Sequence, residues 1–183
     1  MSAALLVAAL LALGGCASAP RHGDAHLPNM QRVNESLYRG GHPTREGFAR
    51  LHEMGIRTVV NVRGGDIDQN AMGDLSFDYH QRPMSPWSPR DEDVIWFLRL
   101  ATDQTLAPMF LHCQHGADRS GYLVAMYRVV IEGWDRQRAI AEMTADGMGF
   151  HDIYWGLIDY VREADVEALR KAIGLAPRTA RAR

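Results

Sequence analysis

His112-Cys113-Gln114-His115-Gly116-Ala117-Asp118-Arg119-Ser120-Gly121 is the stretch around which the rest of this 183-residue chain has to be arranged. An apolar run, Pro108-Met109-Phe110-Leu111, leads into it, and a helical one, Tyr122-Leu123-Val124-Ala125-Met126-Tyr127, leads away. A strand, a short loop and a helix N-terminus in that order make an anion cradle. The six backbone N–H groups from Gln114 to Arg119 can turn inward on one tetrahedral oxyanion, and the helix dipole adds positive potential at the same point. The same field stabilises a thiolate, so Cys113 stands as a nucleophile inside its own anion site.

The residue types fit phosphoryl chemistry. Arg119 offers a planar fork of donors for two non-bridging phosphoryl oxygens, with Cys113 below the phosphorus and in line with the ester oxygen. Attack would give a cysteinyl-phosphate, which water then releases. Positioning and charge neutralisation, the main demands of the reaction, come from the loop itself. Gly116 lets the backbone turn without a Cβ facing the ligand, and Ser120 is set to donate a hydrogen bond to the departing thiolate. The expected substrate-binding residues are Gln114, His115, Gly116, Ala117, Asp118 and Arg119. The expected catalytic residues are Cys113, Arg119 and Ser120, with Asp118 as a candidate acid. No metal ligand set and no cofactor is expected.

The pattern resembles the H-C-x5-R-[ST]-G signature of the cysteine-dependent protein tyrosine and dual-specificity phosphatases. Leu37-Tyr38-Arg39-Gly40-Gly41-His42-Pro43 and Gly55-Ile56-Arg57-Thr58-Val59-Val60-Asn61-Val62-Arg63 look like the opening segments of compact bacterial dual-specificity-like phosphatases. The resemblance runs from about Val33 to Val161. It implies an α/β fold with a central, mostly parallel sheet and helices on both faces, and a phosphatase acting on phosphotyrosine or a similar monoester, in a phosphoprotein or a small molecule. Two alternatives stay open: a phospho-ligand-binding module without turnover, and a membrane-tethered lipid or inositol phosphatase. Relatives acting on multiply phosphorylated inositols tend to carry lysines in the loop, whereas Gln114, His115, Ala117 and Asp118 supply none.

The general acid is not obvious. Relatives usually carry an aspartate on a loop upstream of the cysteine, and here that stretch, His80-Gln81-Arg82-Pro83-Met84-Ser85-Pro86-Trp87, has no carboxylate. Asp118 occupies the position of an aspartate in the myotubularin-like variant of the signature. Asp91 and Asp93 lie a little further along, where capping and dipole pairing of a helix would also account for them, and the remaining alternative is no protein acid, which suits aryl phosphates with good leaving groups. His112 reads as a residue that orients the loop. His115 reads either as a substrate contact or as a solvent-facing histidine. Trp87 would wall the pocket or pin its loop to the core. Asp66 and Asp68 read as turn residues, and Tyr154 and Trp155 as a core helix face.

Ala3 to Leu13 is an apolar run too short to span a bilayer and ends in small residues, as a secretory signal does. Leu13-Gly14-Gly15-Cys16 resembles a bacterial lipobox, although Met1-Ser2 carries no basic residue. Residues 1–15 are therefore expected to be a lipoprotein-type signal, Cys16 the lipidated residue, 16–32 a linker, 33–175 the catalytic domain and 176–183 a disordered tail. Export to the periplasmic side, with an anchor in the outer membrane, follows from that resemblance. The formal net charge of −2 leaves no footprint for nucleic acid. A monomer is expected, touching a membrane only through the acylated Cys16.

Strands are expected over Ser36–Arg39, Ile56–Arg63, Phe77–Met84 and Pro108–His112. Helices are expected from Thr44 to Met54, from a Ser88-Pro89-Arg90-Asp91 cap to Ala101, from Ser120 to Ile131, from Asp135 to Thr144, and as one last helix from Asp152 to Ile173.

Overall fold

The computed structural model describes residues 24–178. The signal segment, Cys16, the linker as far as residue 23 and the last five residues lie outside the described residues. The strands are β1 (Gln31–Arg32), β2 (Leu37–Gly40), β3 (Thr58–Asn61), β4 (Asp78–Gln81) and β5 (Met109–His112). The helices are α1 (Arg45–Glu53), α2 (Ile67–Met72), α3 (Asp91–Thr102), α4 (Arg119–Tyr127), α5 (Arg136–Thr144), α6 (Trp155–Glu163) and α7 (Val166–Ala172).

The strands form one sheet in the order β1-β2-β5-β3-β4, parallel throughout except for the antiparallel β1 at its edge. The central strands β3 and β5 are buried along their whole length, which is why they read as unbroken β-branched or apolar runs. Alternate residues then serve opposite faces. Val59 and Phe110 meet Phe48 and Leu51 of α1 and Met72 of α2, while Val60 and Leu111 meet the larger layer built from α3 to α7. With β2 and β3 on either side of β5, the loop after His112 opens at the carboxyl end of the middle strand, where sheets of this class bind ligands.

Thr44 caps α1 as its sequence suggests, accepting from the Gly47 amide at 3.2 Å, and Asp135 caps α5 in the same way. Four elements differ from expectation. Arg90 rather than Ser88 occupies the N-cap of α3 and makes no side-chain cap bond; Asp91, Glu92 and Asp93 in the first turn face the dipole instead. The helix after the reactive loop ends as α4 and runs on as a π-turn over Arg128–Glu132, stopped by left-handed Gly133. The last helix is two: the chain straightens at Ala164, and Asp165 caps α7 by accepting from the Ala168 amide at 2.9 Å. The turn expected around Asp66 and Asp68 is the start of α2.

The fold also extends beyond the expected domain limits. Leu27 is buried, the Pro28 carbonyl accepts from Gly41 N at 2.7 Å, and the sheet already begins at Gln31. A polar stretch reads as linker because its attachment here rests on backbone hydrogen bonds and one leucine, which leave no periodic pattern. At the other end the Ala176 carbonyl accepts from Arg170 Nε at 3.0 Å.

The Gly47 position tests how firmly the segment around His26 is held. A Cβ there would stand 2.1 Å from the His26 carbonyl oxygen, a backbone atom that can yield only if the segment lifts. Gly156 in α6 has nothing within 4 Å of the same position. Gly156→Ala is therefore expected to stabilise by roughly 0.5–1 kcal/mol, the usual helix gain. Gly47→Ala should have the opposite sign in urea unfolding despite identical helix propensity.

Candidate active site

Gly116 fixes the loop's seat. Its φ is +75°, and a Cβ would lie 2.4 Å from both Gly40 C and Gly41 N, so only glycine lets the loop backbone lie on the end of β2. His42 N donates to the Gln114 carbonyl at 3.1 Å across the same seam. The loop is thus clamped by the segment that follows β2. Cys113 is buried inside it, with Sγ 3.3 Å from the Gly116 amide and 3.4 Å from Ser120 Oγ. None of the loop amides from Gln114 to Asp118 donates to a backbone carbonyl among the described residues, so they are available to an anion.

The flanking side chains leave the loop in two directions. Arg119 reaches the β4–α3 segment, where Nη1 lies 3.5 Å from the Met84 carbonyl. Asp118, only 4% exposed, turns its carboxylate to the α5–α6 segment. It accepts from the His151 amide at 2.9 Å and faces His151 Nδ1 at 3.0 Å, instead of capping α4. Gln114 and His115 are exposed, whereas Gly116, Ala117 and Ser120 are buried.

Behind the loop lies an aspartate expected from the sequence to sit in a turn. Asp68 is 1% exposed and accepts from Asn61 Nδ2 at 2.7 Å and Tyr79 Oη at 2.9 Å. Nε2 of His42 and Nε2 of His112 lie 2.9 Å from its two oxygens, each at an oblique angle. Burial works against ionisation of this carboxyl, yet His112 and His42 more than offset it and hold the group well below the usual carboxylate range. Burial, together with the Asp68 charge, pushes the Tyr79 phenol up, so it remains a donor. Through His112, the residue before the nucleophile, this carboxylate orients the loop. No spacing signal in the sequence announces it; a buried acid on a six-residue helix becomes visible only when four other elements converge on it.

The other acid candidates are engaged elsewhere. Asp93 is buried between Arg82 Nε at 2.7 Å and Arg90 Nη2 at 3.1 Å, and Asp91 accepts from Tyr160 Oη at 2.6 Å. Trp87 does not pin its loop to the core: it is largely exposed, its ring edge-on to Tyr154 at 4.7 Å. Trp155, expected in the core, is 67% exposed, because the short turn over Asp152–Tyr154 rotates the start of α6 outward.

Residues 21–154 match the model of a family described as a DSP-PTPase phosphatase fused to NAD+ kinase. The chain belongs to this DSP-PTPase phosphatase family. A dual specificity protein phosphatase of Pseudomonas aeruginosa, TpbA, is 35% identical over 146 residues, 79% of this chain and 66% of that protein, so the match spans just under two thirds of the relative. The crystal structure of TpbA superposes with a TM-score of 0.75 at 34% identity, covering 82% of this chain and 93% of that one. A cysteine-to-serine TpbA in complex with phosphotyrosine gives 0.73 at 34% identity over 79% of this chain and 90% of that one. The catalytic core of a PP-IP phosphatase from S. cerevisiae, with citrate, shares the fold at a TM-score of 0.71 and 19% identity, covering 79% and 91%.

The Asp68 cluster is expected to make the stability of the fold depend on acid. Its carboxyl titrates lower in the fold than the unfolded value of about 3.9, so its contribution is whole above that pH and is withdrawn as pH falls toward the folded value. Asp68→Asn should lower stability at neutral pH by about 3–5 kcal/mol, as loss of one partner in a buried charge cluster does. Its unfolding free energy should also fall less than that of the wild type between neutrality and acid, as followed by urea titrations at several pH values.

Proposed function

We propose that this chain hydrolyses phosphate monoesters, phosphotyrosine among them, through a cysteinyl-phosphate. The observation that carries the reading is the buried Cys113 Sγ between the Gly116 amide and Ser120 Oγ, at the head of a loop whose other amides are free for an anion. The Cys113 thiolate attacks phosphorus as the ester P–O bond breaks. The leaving oxygen takes a proton, and water then attacks the phosphocysteine, releasing phosphate and restoring the thiolate. Arg119 holds two non-bridging oxygens, and Ser120 stabilises the thiolate as it departs. The phosphotyrosine held by a TpbA variant supports an aryl phosphate as one substrate of this relative too. A binding module would gain nothing from Ser120 beside the sulfur.

Asp118 is the acid this reading assigns. Asp91 and Asp93 are committed to Tyr160 and to two arginines, while Asp118 belongs to the loop itself and shares a contact with an imidazole that can carry a proton. The lipobox resemblance of Leu13 to Cys16 supports a chain exported and anchored on the periplasmic side; no helix among the described residues is long and apolar enough to cross a membrane.

Cys113→Ser is expected to lower turnover of p-nitrophenyl phosphate by roughly a hundredfold or more while vanadate still binds, since the hydroxyl is not ionised and the amides remain. Turnover near wild type would remove the covalent step. Asp118→Asn should slow alkyl phosphates at least about tenfold more than p-nitrophenyl phosphate, whose phenolate leaves unaided. Asp91→Asn should show no such leaving-group dependence, and the reverse pattern would move the acid to α3. Fractionation of a Gram-negative host should find the wild-type chain with membranes and Cys16→Ala in soluble fractions or unprocessed. A wholly cytosolic wild type would rule the anchor out.

A further inference from the structure

His115, Asp118 and His151 bring three potential ligand atoms within 4.8 Å of one another at the mouth of the reactive loop. We propose that these residues form a binding site for zinc or a similar borderline divalent metal, which the reaction does not need and which holds the phosphatase inactive. No metal-ligand spacing marks this site in the sequence, because His151 lies 33 residues from Asp118 and enters from a different loop.

The site is already assembled. His151 Nδ1 is 3.0 Å from one Asp118 oxygen and 3.1 Å from the other, and its backbone amide fastens the same carboxylate at 2.9 Å. The His115 and His151 rings stand 5.3 Å apart. Asn29 ties the two loops together from behind, donating to the Met148 carbonyl at 2.7 Å and approaching the His115 carbonyl at 3.4 Å. Zinc with nitrogen and oxygen ligands at about 2.0–2.2 Å needs these atoms roughly 3.3 Å apart. The His151–Asp118 spacing meets that, and exposed His115 has the freedom to swing in. Two imidazoles and one carboxylate suit zinc, cobalt or copper, whereas magnesium and calcium want a shell of oxygens. Three protein ligands leave a fourth position open to water.

The ion would take the place of the proton between His151 and Asp118. Both lone pairs then belong to the metal, and the acid assigned above has nothing to donate. The α5–α6 segment is also fastened to the reactive loop. This inhibitory consequence rests on the proposed phosphatase mechanism; the binding itself does not.

Binding is therefore read on full-length Cys113→Ser, in which the thiol is absent. With zinc as the probe in a chelator competition, this variant is expected to bind one ion, and adding His115→Ala or His151→Ala should weaken the affinity at least tenfold. His115 is exposed and its ring makes no hydrogen bond among the described residues, so its removal keeps the fold even if His151→Ala does not. Cobalt should give a visible spectrum in wild type without the near-ultraviolet thiolate band. No zinc on Cys113→Ser, unchanged affinity in His115→Ala, or a thiolate band would each overturn the site. On an alkyl phosphate, saturating zinc should depress the wild-type rate, while the ratio of rates with and without zinc should approach one in a His115→Ala and His151→Ala double variant. An equal depression in that variant would overturn the inhibitory role.

Discussion

One buried carboxylate holds the catalytic end of this sheet together. Asp68 receives Asn61 from β3, Tyr79 from β4, His112 from β5 and His42 from the turn after β2. A charge in that setting is tolerated only with its partners in place, because the cost of stripping its water is recovered from groups on several separate elements. The partners are fixed in turn, and His112 is the residue that carries the backbone into Cys113. A short helix with few apolar contacts of its own thereby decides where the nucleophile sits.

The reactive loop then spreads its consequences outward through adjacent side chains. Arg119 leans on the carbonyl of Met84 and Asp118 on the amide and ring of His151, so two segments distant in sequence flank one cysteine. Arg119 and Asp118 are thereby tied to different loops. Arg119 therefore does not share its contacts with Asp118, whose carboxylate is engaged by the backbone and ring of His151.

The loop from His112 to Gly121 was legible in the sequence because its chemistry is contiguous: nucleophile, glycine, arginine and serine fall at fixed offsets between a strand and a helix. The parallel sheet and the caps at Thr44 and Asp135 were legible for similar local reasons. Asp68, His42 and His151 were not, because their meaning comes from contacts across long sequence separations that no periodicity encodes. Trp155 misled because an aromatic on a helix usually faces inward, and here a turn before α6 changes which face it occupies. Ser88 misled because a good capping residue two positions early has no amide within reach.

Asn29 joins the His115 carbonyl 86 residues away and the Met148 carbonyl 119 residues away, so the segment ahead of the sheet, the reactive loop and the α5–α6 segment meet at one side chain. Contacts of such separation require large loops to close before they return any stabilisation. The cradle is therefore complete only when these distant segments have come together. Until then Cys113 lacks the Gly116 amide, the helix end and the Ser120 hydroxyl that surround it in the fold. The surroundings of this sulfur are thus a property of the assembled domain and not of the loop sequence alone.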